Sequence, residues 1–216
     1  MLRLKLLEVG LVAAVVAFSG SYGYAEDFSA RLSGFNEIGS IPTTVTVTAL
    51  GTPAPTSYTG AVLSNGSGTV RLDLDRNAGT IAYILNYKNV GVTPPKTGTV
   101  LFAHIHFGKS RDSGGILVFF CTNVKFTGTG PTPPSCNTDS SGSGTVSGTW
   151  TAENVQAIPG QNVAAMDFDA LVDALTSNTA YANIHTTSGT TPDTAFPGGE
   201  IRGQCRSEDR EHREDR

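Results

Sequence analysis

The chain has 216 residues, with 15 Lys and Arg against 19 Asp and Glu for a net charge of −4, and 38% of its residues are hydrophobic. The basic residues do not cluster, which argues against nucleic acid as a partner. Past the N-terminal segment, no stretch is long and apolar enough to cross a membrane as a helix.

The first residues carry a targeting pattern. Arg3 and Lys5 precede an apolar run from Leu11 to Phe18, and Gly23-Tyr24-Ala25 ends in small residues. This predicts a secretory signal peptide over 1–25, cleaved after Ala25. The alternative, an uncleaved anchor, asks for a longer run. Residues 26–205 then suit one domain of ordinary size.

The body of the chain alternates short β-type runs with Gly, Pro, Ser, Thr and Asn. Such punctuation, with little helical periodicity, predicts an all-β antiparallel sandwich of Greek-key, immunoglobulin-like or superoxide-dismutase-like type. Phe28 to Gly34 is the first expected strand and Thr43 to Leu50 the second. Asn65-Gly66 signals a hairpin turn. Val70, Leu72 and Leu74 alternate with polar neighbours, so that strand has one buried face. Arg76 to Gly79 is the next turn, and Ile81 to Tyr87 returns. Val100 to Phe107 and Ile116 to Cys121 are apolar on both faces. Phe126 to Gly144 reads as an exposed insertion, and Thr145 to Thr151 resumes a strand. One short helix is expected near 167–177, where Phe168, Leu171, Val172 and Leu175 recur at helical spacing behind Asp167. Ala180 to Thr186 and Gly199 to Cys205 are the last strands. Residues 206–216 alternate acids with arginines, carry no apolar residue, and read as a disordered tail or frayed helix.

The chain has three cysteines. Cys121 ends an apolar run and Cys136 lies in the loop that follows, so a disulfide between them suits an oxidising compartment. Cys205 is left over, as a partly buried thiol or a bridge between chains.

Four histidines are present. His104 and His106 stand two apart on one expected strand and therefore point to the same face. His185 sits in a similar run, Tyr181-Ala182-Asn183-Ile184-His185-Thr186. His212 lies in the charged tail. If the two strands look into one space, three imidazoles converge, enough for zinc or copper with an open position. The competing reading is a polar spot in the core whose histidines hydrogen-bond backbone or carboxylates. Glu200, Arg202 and Gln204 share a face of the last strand. A hairpin register setting His185 against Glu200 also sets Asn183 against Arg202. Glu200 is then a candidate ligand or orienting partner of a metal-bound imidazole, or the ion-pair partner of Arg202. Arg202 and Glu37 are assigned structural roles. Asn65-Gly66-Ser67 matches a glycosylation sequon. No nucleophile motif, phosphate loop or dinucleotide fingerprint is present.

Four blocks together resemble the CHRD domain, named after chordin. They are Phe28 to Glu37, Ala103-His104-Ile105-His106-Phe107-Gly108, Tyr181 to Thr186, and Phe196-Pro197-Gly198-Gly199-Glu200-Ile201-Arg202-Gly203-Gln204. They stand in the family's order and span nearly the whole expected mature chain. The segment Ile38-Gly39-Ser40-Ile41-Pro42 departs from the family pattern, which places proline sooner. The resemblance implies an extracellular or envelope all-β domain. A looser likeness, the His-x-His pair alone, is to Cu/Zn superoxide dismutases, but the histidines are too few for a bridged two-metal centre.

The expectation is a secreted or periplasmic, non-enzymatic binding module. Its histidines, with Glu200 as the candidate further ligand or orienting partner, either hold copper or zinc or form a structural polar core. A metalloenzyme on the same residues and an adhesion scaffold are the alternatives. The partner classes are an extracellular protein, a glycan or a metal ion.

Overall fold

The computed structural model describes residues 26–38, 40–42, 57–93, 98–187, 196 and 198–208. The expected signal peptide, the expected strand Thr43 to Leu50 and His212 lie outside the described residues. The strands are β1 (Glu26–Ser33), β2 (Ser40–Pro42), β3 (Ser57–Thr59), β4 (Ser67–Asp75), β5 (Thr80–Lys88), β6 (Thr99–Phe107), β7 (Ile116–Thr122), β8 (Gly144–Trp150), β9 (Ala180–Thr187), β10 (Ile201–Gln204) and β11 (Arg206–Ser207). Helix α1 spans Phe168–Thr176.

The alternation seen in the sequence sets the two faces. In β4 and β5 every second residue is buried, among them Val70, Leu72, Leu74, Ile81 and Leu85. Each such side chain contributes roughly 1.5–3 kcal/mol on leaving water. The hairpin between them turns at Arg76 to Gly79, where the Asp75 carboxylate accepts from the backbone N–H groups of Asn77 and Ala78. Gly79 supplies the left-handed φ of +64° that this turn requires.

Long-range pairing then builds one antiparallel sheet in the order β7-β6-β9-β10-β1-β4-β5-β8, with β11 added on β1. The sheet curls until its two ends nearly meet. Trp150 Nε1 donates to the Phe119 carbonyl at 2.8 Å, and the Tyr83 hydroxyl donates to the Phe120 carbonyl at 3.2 Å. Tyr83 also stacks on Trp150 with ring centroids 4.4 Å apart. The described residues therefore adopt the all-β antiparallel class with one short α-helix, the two faces of the sandwich being halves of one curled sheet. Ala103, Ile105, Leu117, Ala182, Ile184 and Ile201 face its interior.

Helix α1 starts where Asp167 accepts from the Ala170 N–H at 3.0 Å and buries Leu171, Val172, Ala174 and Leu175. Cys121 and Cys136 form the disulfide, with Cα atoms 5.0 Å apart. It ties the irregular segment after β7 to the core, and Asn123 reinforces the tie by bonding the N–H and carbonyl of Cys136. Cys205 is unbridged and buried.

Two local expectations are corrected. Asn65-Gly66 does not turn a hairpin: β3 pairs with β2, while β4 pairs with β1 and β5. Ser64 folds the segment instead, its hydroxyl accepting from the Gly66 N–H at 2.8 Å. The segment read as a tail begins with strand β11, which continues the sheet along β1 by pairing Arg206 with Ser29 and Ser207 with Phe28.

Candidate metal centre

Strand β6 presents Ala103 and Ile105 to the interior, so the pleat turns Phe102, His104 and His106 to the opposite face. The strand is irregular, with register shifts against β7 between Ala103 and His104 and between Ile105 and His106. The three rings nevertheless follow one another along that face, with centroids 5.1 Å apart for Phe102 and His104 and 4.3 Å for His104 and His106. Strand β9 runs antiparallel beside them. Its register sets His185 against Phe102, Asn183 against His104 and Tyr181 against His106. His185 thereby meets His104, at 4.6 Å between ring centroids. One donor nitrogen from each of His104, His106 and His185 lies within 4.8 Å of the other two.

The triangle sits in an aromatic enclosure. Phe119 of β7 meets His104 edge-on at 5.3 Å, with Phe126 behind it. Tyr181 stacks on His106 at 4.7 Å with an interplanar angle of 13°. His104 is 1% exposed, and among the described residues neither of its ring nitrogens has a hydrogen-bond partner. A buried polar atom left so costs about 1–3 kcal/mol.

His106 has one nitrogen committed. Its Nδ1 lies 2.7 Å from the Gly114 carbonyl, which can only accept, so Nδ1 carries the proton and Nε2 keeps its lone pair. Gly114 is held in turn, its N–H donating to the Tyr181 hydroxyl at 3.2 Å. A side chain at Gly114 would strike the Phe107 carbonyl, so this approach needs glycine. Burial, followed by the neighbouring His185 and His106, pushes His104 well below the ordinary imidazole range. Burial first, and then the Arg202 charge, lowers His106 to about 4. Both rings are neutral at pH 7, the state in which imidazole ligates metals.

Glu200 does not join this triangle. It is fully buried, and its carboxylate accepts from the Ser64 hydroxyl at 2.7 Å, the Thr186 hydroxyl at 2.9 Å and the Gly91 N–H at 3.0 and 3.1 Å. The expected register on its strand is present, with Arg202 opposite Asn183. Arg202 makes no ion pair with Glu200. Its Nη2 donates to the carbonyls of Lys109 and Asp112 at 2.7 and 2.9 Å, and its guanidinium carbon lies 3.4 Å from the centre of the Tyr181 ring. The buried Glu37 accepts from the Asn183 side-chain amide at 2.8 Å and from the Ile38 N–H at 3.0 Å. Gly199, at φ +123°, passes so close to Glu37 and Asn183 that a side chain there would collide with both.

The family model of the CHRD domain matches residues 28–205. The chain belongs to the CHRD family. No curated protein matches it. The match begins inside β1 and ends just past β10, so the CHRD unit includes both strands that build the histidine triangle, β6 and β9.

Sequence reasoning placed the three histidines together but missed what surrounds them in this CHRD domain. Tyr181 opens the run Tyr181 to Thr186, and its strand parity with His185 is the signal the sequence offers. Gly114 carried no signal, because the stretch from Gly108 to Gly115 reads only as a polar turn. The destination of Glu200 was equally hidden, since Ser64 and Gly91 reach it from loops remote in sequence.

Proposed function

We propose that this CHRD domain is a non-enzymatic binding module that holds one transition-metal ion, copper or zinc, on His104, His106 and His185. The observation that carries this reading is His104. It is buried, without a hydrogen-bond partner for either ring nitrogen among the described residues, inside a triangle of imidazole donors. A merely structural histidine cluster satisfies its buried nitrogens. Here a metal ion would take the lone pair of one His104 nitrogen, while the other nitrogen keeps its proton. Nitrogens around one tetrahedral ion at ~2.1 Å lie roughly 3.4 Å apart, so ring tilts of about an ångström close the triangle. The Gly114 carbonyl fixes the His106 tautomer as outer-sphere partners of ligating histidines do.

The binding-module reading fits family membership. The engagement of Glu200 with Ser64, Thr186 and Gly91 also removes the acid considered as a fourth ligand. We place the mature domain outside the cytoplasm, released by cleavage after Ala25. The Cys121–Cys136 disulfide supports that placement, and no helix among the described residues is long and apolar enough to cross a membrane.

Metal analysis of protein purified without a histidine tag, wild type against His104→Phe, tests the metal claim. About one equivalent of copper or zinc in the wild type and none in the variant is expected. No bound metal, together with no change in melting temperature on adding either ion, would sink it. N-terminal sequencing of protein exported by an expressing host tests the cleavage, with Glu26 expected as the first residue.

A further inference from the structure

A second site lies on the same face of the sheet, beyond Arg202. Ser33 of β1 stands opposite Arg202 of β10, and Ser29 stands opposite Arg206 of β11. Arg31 lies between those two serines in the same strand parity, so Arg31, Arg202 and Arg206 point to one side. They line a cleft of about 490 Å³, together with Arg111, Phe35 and Asn36. That volume falls within the ~300–1,000 Å³ usual for small-molecule sites. Four arginines thus line one cleft in a chain whose net charge is −4.

The cleft is shaped before any ligand arrives. Arg202 grips the carbonyls of Lys109 and Asp112, on either side of Ser110 and Arg111, and so fixes the loop that brings Arg111 to the wall. Across from it, the 3-10 turn Gly34–Asn36 is held by the Ser33 hydroxyl, which accepts from the Phe35 N–H at 3.2 Å. That turn displays Phe35 at 68% exposure. Among the described residues, no acid pairs with Arg31 or Arg111. The nearest buried acid, Glu37, is occupied by Asn183 and Ile38.

We infer that this cleft binds an acidic saccharide, its oxyanion held by Arg31 and Arg111 and a sugar ring laid against Phe35. Arginine rather than lysine at these positions suits the planar, bidentate recognition of carboxylate or sulfate. An exposed phenylalanine on the rim offers a flat apolar surface to the C–H face of a pyranose, and Asn36 and Ser110 supply polar groups for ring hydroxyls. The site shares no residue with the histidine triangle, and this inference stands independently of the metal reading.

Calorimetric titration of the full chain with trigalacturonate tests it, with neutral maltotriose as the control sugar. Trigalacturonate should bind and maltotriose should not. Losing both guanidinium groups in Arg31→Ala/Arg111→Ala should raise Kd on the order of 100-fold, since each charged hydrogen bond accounts for about tenfold or more. Arg71→Ala, on the exposed part of β4 outside the cleft, should leave Kd unchanged. Phe35→Ala should weaken trigalacturonate without changing the response to inorganic sulfate. A sulfated trisaccharide bound with the same dependence on Arg31 and Arg111 also supports the inference and identifies the oxyanion as sulfate. The inference fails if neither acidic sugar binds, if maltotriose binds as well, if Arg71→Ala weakens binding as much as the double variant, or if Phe35→Ala has no effect. All these variants replace exposed side chains, and unchanged melting curves verify that each is folded.

Discussion

Two buried polar clusters stand on neighbouring strands, and they have opposite electrostatic fates. The Glu200 carboxylate is fully buried and receives hydrogen bonds from Ser64, Thr186 and Gly91. His104 is equally buried and, among the described residues, neither ring nitrogen has a partner. Burial alone therefore does not mark a binding site in this fold. A satisfied cluster stitches loops to the sheet, whereas an unsatisfied one carries an energetic debt that a ligand can settle. The contrast predicts that the first cluster governs folding and the second governs binding.

The largest effect should come from breaking the satisfied cluster. Glu200→Ala removes the acceptor of two buried donors, the Thr186 hydroxyl and the Gly91 N–H, and of the half-buried Ser64 hydroxyl; at about 1–3 kcal/mol for each buried donor, a loss on the order of 3–5 kcal/mol is expected in urea unfolding. The midpoint should fall while the m-value holds. A loss below about 1 kcal/mol, accompanied by loss of metal, would mean that Glu200 belongs to the histidines after all.

Acid should reach the unsatisfied cluster next. In metal-free protein His106 has its folded pKa lowered to about 4 from an ordinary 6.5, and burial also holds His104 well below the ordinary imidazole range. A lowered folded pKa means that the unfolded chain binds protons first. The contribution is fully present above pH 6.5 and is lost as pH falls toward 4. For His106 alone the loss approaches roughly 3 kcal/mol at the bottom of that window. Unfolding measured across pH 7 to 4 should therefore steepen in wild type and flatten in His106→Phe. Identical slopes would show that these rings do not carry the acid sensitivity.

Metal should act on one cluster only. At a free concentration of 100 times Kd, copper or zinc should stabilise the wild type by about 2.7 kcal/mol. His104→Phe should show none of this gain. Without metal the same variant should be close to neutral, because an apolar ring replaces a polar group that had no partner. A His104→Phe protein destabilised by several kcal/mol without metal would place His104 in the structural class with Glu200.

How much of this contrast the sequence revealed depended on the distance between partners. His104 and His106 share a face by strand alternation, and the pairing of Arg202 with Asn183 follows from one hairpin register. Alternation is local physics, and it survived even the register shifts in β6. The disulfide and helix α1 were readable for the same reason. What could not be read were contacts closed by loops. Ser64 and Gly91 meet Glu200 across 136 and 109 residues. No periodicity encodes such meetings, so Glu200 was assigned to the nearest histidine. The Asn65-Gly66 turn misled in the same way, because the strands on either side of it pair elsewhere in the sheet.

The smallest effect should come from the link that supports His106. The Tyr181 hydroxyl accepts from the Gly114 N–H, and the Gly114 carbonyl accepts from His106 Nδ1. Tyr181→Phe removes only the first of these bonds and keeps the ring that stacks between His106 and Arg202. Stability should fall by about 1 kcal/mol, the net worth of one hydrogen bond. Metal affinity should fall by less than the 10–100-fold typical of losing a direct orienting partner, because the Gly114 carbonyl itself remains. Gly114→Ala supplies the harder version, since its side chain would displace the carbonyl from His106 by colliding with Phe107. If Tyr181→Phe abolished metal uptake while Gly114→Ala spared it, the ring nitrogen facing Gly114 would have to be the ligating one. The tautomer assigned to His106 would then be reversed.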